Sequence, residues 1–394
     1  MNQPRVENQE LKVGVISQHQ LEPKGRPEKD RLVQIDGLRG IAMCFVFLGH
    51  FAGVWHPLVD SQGAARLYLR IVDADATFGS SFFMLIFAFF AYGSMRRGRR
   101  PFGEFIAGRL WRLYPLYLVM VALYIAGSVL LPHMSKLPAD RGEWPLYLLQ
   151  TVLLLPGIVP AKPLMDVSWT LSFIVLFYFV EAALANIFRS SKVRPAGRML
   201  FFCGMALLWA LAGDIRHWWE PRTAILWTGM ALSEFVDWAS IKHHDWAARM
   251  VIPAVGLFVF GGLLRTELML TLPSTPLVSL EIWRFGITSV TLSALTWVCY
   301  FGPDAWTRVF TAWPLLLMGE ANYSYYLTHG IAIKLFRFGI IPAMGVYASN
   351  GLFFWISQLG GIALSVAIAT LVHRHVDLPL ARLGPLKRPK PAIP

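Results

Sequence analysis

The chain of 394 residues is 55% hydrophobic and only 15% charged, with a mean hydropathy of +0.49. Soluble domains carry about 25% charged residues, so a chain this apolar has too few polar groups to cover itself, and an ordinary soluble protein is excluded. The net charge of +12 would suit a nucleic acid only as a patch on a soluble face. Here the basic residues stand mostly in short stretches between apolar runs, which points to membrane topology and away from nucleic acid.

Residues 1–34 mix Glu7, Glu10, Lys12, Glu22, Lys24, Arg26, Glu28, Lys29, Asp30 and Arg31 with little apolar content. This is not the early apolar core of a signal peptide, and a disordered cytoplasmic tail is expected. Segments long and apolar enough to span a bilayer then recur at 38–57, 76–95, 113–132, 166–188, 198–213, 222–238, 250–265, 282–301, 317–336 and 350–372. The expected fold is therefore all-α, a polytopic membrane protein of about ten transmembrane helices, with its membrane domain over 35–376 and a tail over 377–394. The apolar stretch 145–160 is short and bounded by prolines, and is expected to be a re-entrant or interfacial helix. Cys44, Cys203 and Cys299 all lie in apolar runs and read as packing residues, without disulfide or metal spacing.

Lys and Arg in short loops set orientation. Arg96-Arg97-Gly98-Arg99-Arg100, the run Arg189 to Arg198 and the segment after His373 all fall on one side if 145–160 does not cross. That places both termini in the cytoplasm. Lys334, Arg337 and Arg284 fall near outer ends, against the rule.

An ionisable residue within a span is a functional candidate by default. In the first span, Arg39 and His50 are eleven positions apart and return to nearly the same helix face, roughly 16 Å apart along the axis, with Asp36 one turn below Arg39. The fork of Arg39 suits a phosphate or carboxylate, and an imidazole at depth can act as a general base. The plainer alternative is an interfacial arginine and a packed interhelical histidine. Arg109 and Arg112, followed by Tyr114-Pro115, open the third span as a positive mouth for a phosphorylated ligand, or as ordinary anchors with snorkelling arginines. Two further polar groups are Asp166 to Ser172, with Ser168, Trp169 and Thr170, continuing to Tyr178 and Glu181, and Gly319 to His329, with Asn322, Tyr323, Ser324, Tyr325, Tyr326 and Thr328. Either can be interhelical hydrogen bonding or substrate contact. Val376-Asp377-Leu378-Pro379 follows the last span.

These motifs resemble the acyltransferase 3 family of membrane acyltransferases. The first helix matches its D-G-L-R-G-[IL]-A pattern at Asp36 to Ala42, with a His at position 50 after ten intervening residues. Arg109, Arg112, Tyr114 and Pro115 match its R-x-x-R segment. Gly319, Tyr323, Ser324, Tyr326, Leu327 and His329 match G-x-x-S-Y-S-x-Y-L-x-H, with Asn322 in place of Ser. The family's W-S-L-S-V-E-E-Q-F-Y segment is altered: Trp169, Leu171, Ser172, Phe177 and Tyr178 fit, but Ile174 and Val175 replace the paired glutamates, and Glu181 lies two turns beyond.

The resemblance implies transfer of an acyl group, most often acetyl, from cytoplasmic acetyl-CoA or another acyl-CoA to a hydroxyl of a saccharide or glycolipid acceptor beyond a bacterial inner membrane. It implies His50 as the base, with Asp36 and Arg39 beside it in the catalytic set. Arg39, Arg109, Arg112 and Tyr114 would hold the donor. Trp169, Ser172, Glu181, Tyr323, Ser324, Tyr326 and His329 would meet the substrates. No metal is implied. Succinyl transfer to periplasmic glucans and, in another class, glycolipid transport are the alternatives.

Overall fold

In lipid, a segment must satisfy its own backbone hydrogen bonds, and a helix does so internally. The structure, a computed structural model, describes residues 33–59, 62–98, 101–159, 161–216, 219–271, 278–345 and 351–384. The expected tails fall largely on residues 1–32 and 385–394, outside the described residues. The long helices are α1 (Val33–Trp55), α2 (Ala64–Arg97), α3 (Phe102–Leu130), α5 (Ser168–Ser190), α6 (Pro195–Arg216), α7 (Ile225–Lys242), α9 (Val251–Thr271), α10 (Val278–Phe301), α13 (Asn322–Leu335) and α15 (Gly351–Val372). Between or after them stand the short α4 (Trp144–Val152), α8 (His244–Arg249), α11 (Asp304–Thr307), α12 (Trp313–Glu320), α14 (Ile341–Met344) and α16 (Leu378–Arg382).

A π turn over Phe336–Ile340 joins α13 to α14, and a second over His373–Asp377 joins α15 to α16. Among the described residues, nine helices are long and apolar enough to cross a membrane, the last two being Asn322–Met344 and Gly351–Arg382. The expected tenth span, 222–238, is α7. It has 18 residues but carries Glu234 and Asp237, so it does not read as a span by hydropathy. Its neighbours neutralise it. Arg96 of α2 reaches both Glu234 (3.2 Å) and Asp237, Arg97 reaches Asp237 (2.7 Å), and Arg198 of α6 reaches Glu234 (2.8 Å). The Tyr92 hydroxyl also donates to Glu234 at 2.6 Å.

One expected span is corrected. The span read at 317–336 is not one helix. It breaks at Ala321, where α12 ends and α13 begins, although the N–H of Ala321 still bonds to Leu317 (3.1 Å) and its carbonyl accepts from Tyr325 (2.8 Å). Gly319 weakens the helix just before the break, and it lies against the backbone carbonyl of Asp36, where a Cβ would collide. The span expected at 350–372 is α15, and the π turn over His373–Asp377 carries the chain on into α16. Asp377, read as part of a tail, is buried because His373 and Arg112 both bond to it. The stretch 145–160 does hold only the nine-residue α4, too short to cross, with Leu146 and Leu149 exposed.

Arg39, Arg96, Arg97, Arg109, Arg112, Arg189 and Arg198 gather at one end of the bundle, called here the basic end. Helix α1 runs from that end against α2, with Gly49 on Ala76 and Gly79 on Ala42. Its Asp-Gly-Leu-Arg-Gly start is seated backbone to backbone: a Cβ on Gly37 would strike the Phe310 carbonyl, and one on Gly40 the Leu315 carbonyl. Small residues allow this close approach, and it fixes where Asp36 and Arg39 point.

Candidate active site

At the basic end, Arg39 is tied to Asp36 by an Nη1–Oδ1 contact of 3.0 Å, and its guanidinium lies 5.2 Å from the Phe90 ring centroid. Arg112 is also engaged. Its fork grips both oxygens of Asp377, one of them at 3.0 Å. Asp377 further accepts from Ser324 Oγ (3.2 Å) and from His373 Nδ1 (2.9 Å). This network ties α3, α13 and the last helix together, and Arg112 also lies 5.8 Å from the Tyr323 ring. The Tyr323 hydroxyl donates to the Leu113 carbonyl at 2.6 Å. Tyr114 sits edge-on to Tyr117, 6.1 Å between centroids.

Arg109 differs from both. Among the described residues it forms no ion pair. It lies over Phe105 (5.1 Å) and Tyr178 (6.0 Å) and donates to Ser94 Oγ at 3.3 Å. One turn past Tyr178 on α5 is Glu181, with 0% exposure and no hydrogen bond to either carboxylate oxygen. Arg109 is the charged group that acts on it electrostatically. A buried carboxylate without partners is costly, so the pair marks a polar point inside the bundle that packing does not explain.

Farther along α1, His50 meets His329 of α13, with ring centroids 5.4 Å apart and planes at 33°. His50 is exposed, whereas His329 is buried. His329 Nδ1 lies 3.2 Å from the Tyr325 carbonyl. A carbonyl can only accept, so Nδ1 carries the proton and Nε2 of the neutral ring keeps its lone pair. Asp166 and Arg222 are the charged groups near enough to act on His50. Asp166 is held by Lys136 Nζ at 3.1 Å, and Arg222 lies 4.7 Å from the Trp169 ring. Tyr326 donates to the Val167 carbonyl (2.9 Å) and also contacts Thr170 Oγ1, closing α13 onto the start of α5. Ser172 Oγ bonds back to the Ser168 carbonyl at 3.2 Å.

The sequence-derived candidates therefore fall into two groups: arginines and Glu181 at the basic end, and the histidines about 16 Å farther along α1. Of the four residues from the Tyr323–His329 motif, His329 alone faces His50. The hydroxyls of Tyr323, Ser324 and Tyr326 hold helices together. Sequence reasoning assigned no role to His373, Asp377 or Arg222. A His and an Asp four residues apart at the end of a span was the available signal for the first two. Nothing local marked Arg222. Among the described residues, no three His, Cys, Asp or Glu side chains gather as a metal site.

A bundle with nine helices, among the described residues, long and apolar enough to cross a bilayer, and with a histidine pair and partly buried arginines, is a polytopic membrane protein with polar chemistry among its helices. The chain belongs to the acyltransferase 3 family, whose acyltransferase domain matches residues 32–374, and it is therefore a membrane acyltransferase. It is 26% identical over 303 residues to the exopolysaccharide production protein ExoZ of Rhizobium meliloti (strain 1021), covering 75% of this chain and 86% of that protein. No solved structure matches the chain significantly.

Proposed function

We propose that this protein is an O-acyltransferase that moves an acetyl group from cytoplasmic acetyl-CoA to a hydroxyl of an exopolysaccharide or its lipid-linked precursor on the far side of the bacterial inner membrane. The observation that carries the reading is the facing of His50 and His329, about 16 Å along α1 from Arg39 at the basic end. The positive-inside rule assigns the basic end to the cytoplasm, and the similarity to an exopolysaccharide production protein supports the acceptor class.

The donor fits the basic end. Arg109, without a carboxylate partner among the described residues, is the guanidinium best placed for a phosphate, and the unpartnered oxygens of Glu181 suit donor N–H groups of the same ligand. Arg39 and Arg112, each tied to an aspartate, set the walls rather than lead the contact. When bound, the thioester supplies an activated acyl carbon. His50 takes the proton of the acceptor hydroxyl as its oxygen becomes nucleophilic, and then returns it to the departing thiol. His329, 5.4 Å from His50 between ring centroids, positions that ring. His329 is in turn fixed by the Tyr325 carbonyl. A site spanning the bilayer is what a donor on one side and an acceptor on the other require.

The test is the acetyl content of exopolysaccharide from cells carrying wild-type protein, no protein or the His50→Ala variant at equal membrane abundance. The reading expects acetylation in the first alone. Equal acetyl content in all three would overturn it.

A further inference from the structure

Next to the histidine pair lies a cavity of about 260 Å³ that the acyl-transfer residues leave unused. It sits between the far-end half of α2, the residues leading into α7 and the first turns of α10. Asp73, Thr77, Glu220, Arg222, Arg284 and Thr288 line it. With Ser81 that makes seven polar groups around one cavity in a membrane bundle, which are expensive to maintain, and two of them are held in place from behind. The buried Arg265 on α9, ion-paired with Asp75, donates Nη2–H to Thr77 Oγ1 (2.8 Å) and Nε–H to Thr288 Oγ1 (3.1 Å). Both hydroxyls therefore accept on that side, and each keeps its own O–H to donate elsewhere.

Charge in the cavity is balanced. Asp73 and Glu220 oppose Arg222 and Arg284, and Asp73 is also 2.9 Å from His56 Nε2. Arg222 Nε is buried and donates no hydrogen bond, although Glu220 Oε2 lies 3.4 Å away. The lining thus offers strong donors and strong acceptors together with no net charge. A phosphate or carboxylate would find its arginines already countered by two acids. Sugar hydroxyls, each donor and acceptor at once, match such a lining. The volume falls near the lower end of small-molecule sites, about 300 Å³, which fits a single sugar unit. Packing joins the cavity to the histidine pair: Gly49, beside His50 on α1, lies against Ala76, beside the lining Thr77 on α2, and Arg222 lies over the Trp169 ring at 4.7 Å.

We infer that this cavity is the acceptor subsite and seats one neutral saccharide unit, presenting a hydroxyl toward His50 past Arg222. The inference rests on the acyltransfer reading above and adds the class and location of the acceptor.

The experiment uses the purified full chain in proteoliposomes, labelled acetyl-CoA, and exopolysaccharide isolated from cells lacking the protein. Ala74→Leu fills the cavity from α2, and Glu220→Gln removes one acceptor from an exposed side chain whose change does not threaten folding. Both variants should raise the acceptor KM at least tenfold while shifting the donor KM less than twofold. If Ala74→Leu does not fold, Glu220→Gln decides. Methyl glycosides of glucose, galactose and mannose should compete with the polymer at concentrations at least fivefold below glucuronate or inorganic phosphate. Wild-type transfer with an acceptor KM within twofold in the variants overturns the subsite alone, and stronger competition by the anions overturns its neutral class. Absence of transfer by the wild type overturns the acyltransfer reading and the subsite with it.

Discussion

The Arg112–Asp377 pair permits a sharp test of what Arg112 does. Asp377 has a side chain 3% exposed and accepts from Arg112, Ser324 and His373. Removing one partner of a buried pair costs about 3–5 kcal/mol because the other charge is left without compensation. Arg112 is 27% exposed, so Arg112→Ala belongs near the low end, about 3 kcal/mol. Asp377→Ala strands one guanidinium and two other donors, and belongs at about 3–4 kcal/mol. The double variant leaves no buried charge unmatched and should cost only about 4 kcal/mol, a coupling of about 2–3 kcal/mol. Reversible unfolding of the purified protein in mixed micelles by detergent titration measures all three. Single effects that add to within about 0.5 kcal/mol would refute the anchoring role and return Arg112 to donor contact.

Glu181→Gln keeps the shape of a buried side chain that has no hydrogen-bond partner, so stability in the same unfolding assay should change by less than about 1 kcal/mol while the donor KM rises; an unchanged donor KM would remove Glu181 from donor contact. Arg109→Gln should raise the donor KM about tenfold or more with the acceptor KM little changed, since hydrogen bonds to charged groups are worth about 1.5–3 kcal/mol; an unchanged donor KM makes Arg109 an anchor. Along α1, Gly37→Ala forces a Cβ onto the Phe310 carbonyl and should sharply lower the folded yield. Gly53→Ala enters open space and should stabilise by about 0.5–1 kcal/mol. Equal behaviour of the two, read by Tm, would contradict the close seat of α1.

The helical, many-span architecture was legible because a bilayer demands runs of apolar residues, and composition alone reports them. Two features were not. Helix α7 was read as a span, but its hydropathy is spoiled by Glu234 and Asp237, and only the arginines of α2 and α6 make it tolerable in the bundle. The break at Ala321 was not legible because 317–336 is apolar throughout most of its length and no proline marks the junction of α12 and α13. The site was partly legible. The shared face of Asp36, Arg39 and His50 and the two histidine motifs were visible, but the meeting of the histidines depends on how α1 and α13 pack. Periodicity along one helix says nothing about which partner from another helix will saturate a side chain. That is why Arg39, Arg109 and Arg112 read alike in sequence and differ in the structure. It is also why Arg222, isolated between a proline and a threonine, gave no signal.

The central claim is that His50, faced by His329, handles the proton of acyl transfer. The direct measurement is the rate of labelled acetyl transfer to unacylated exopolysaccharide by the purified chain and by its His50→Ala and His329→Ala variants. General acid–base catalysis contributes about 10²–10⁴-fold, so His50→Ala should lose at least about a hundredfold in kcat, with folding intact by size-exclusion profile, and His329→Ala should lose less. Wild-type kcat in the His50→Ala variant would contradict the account.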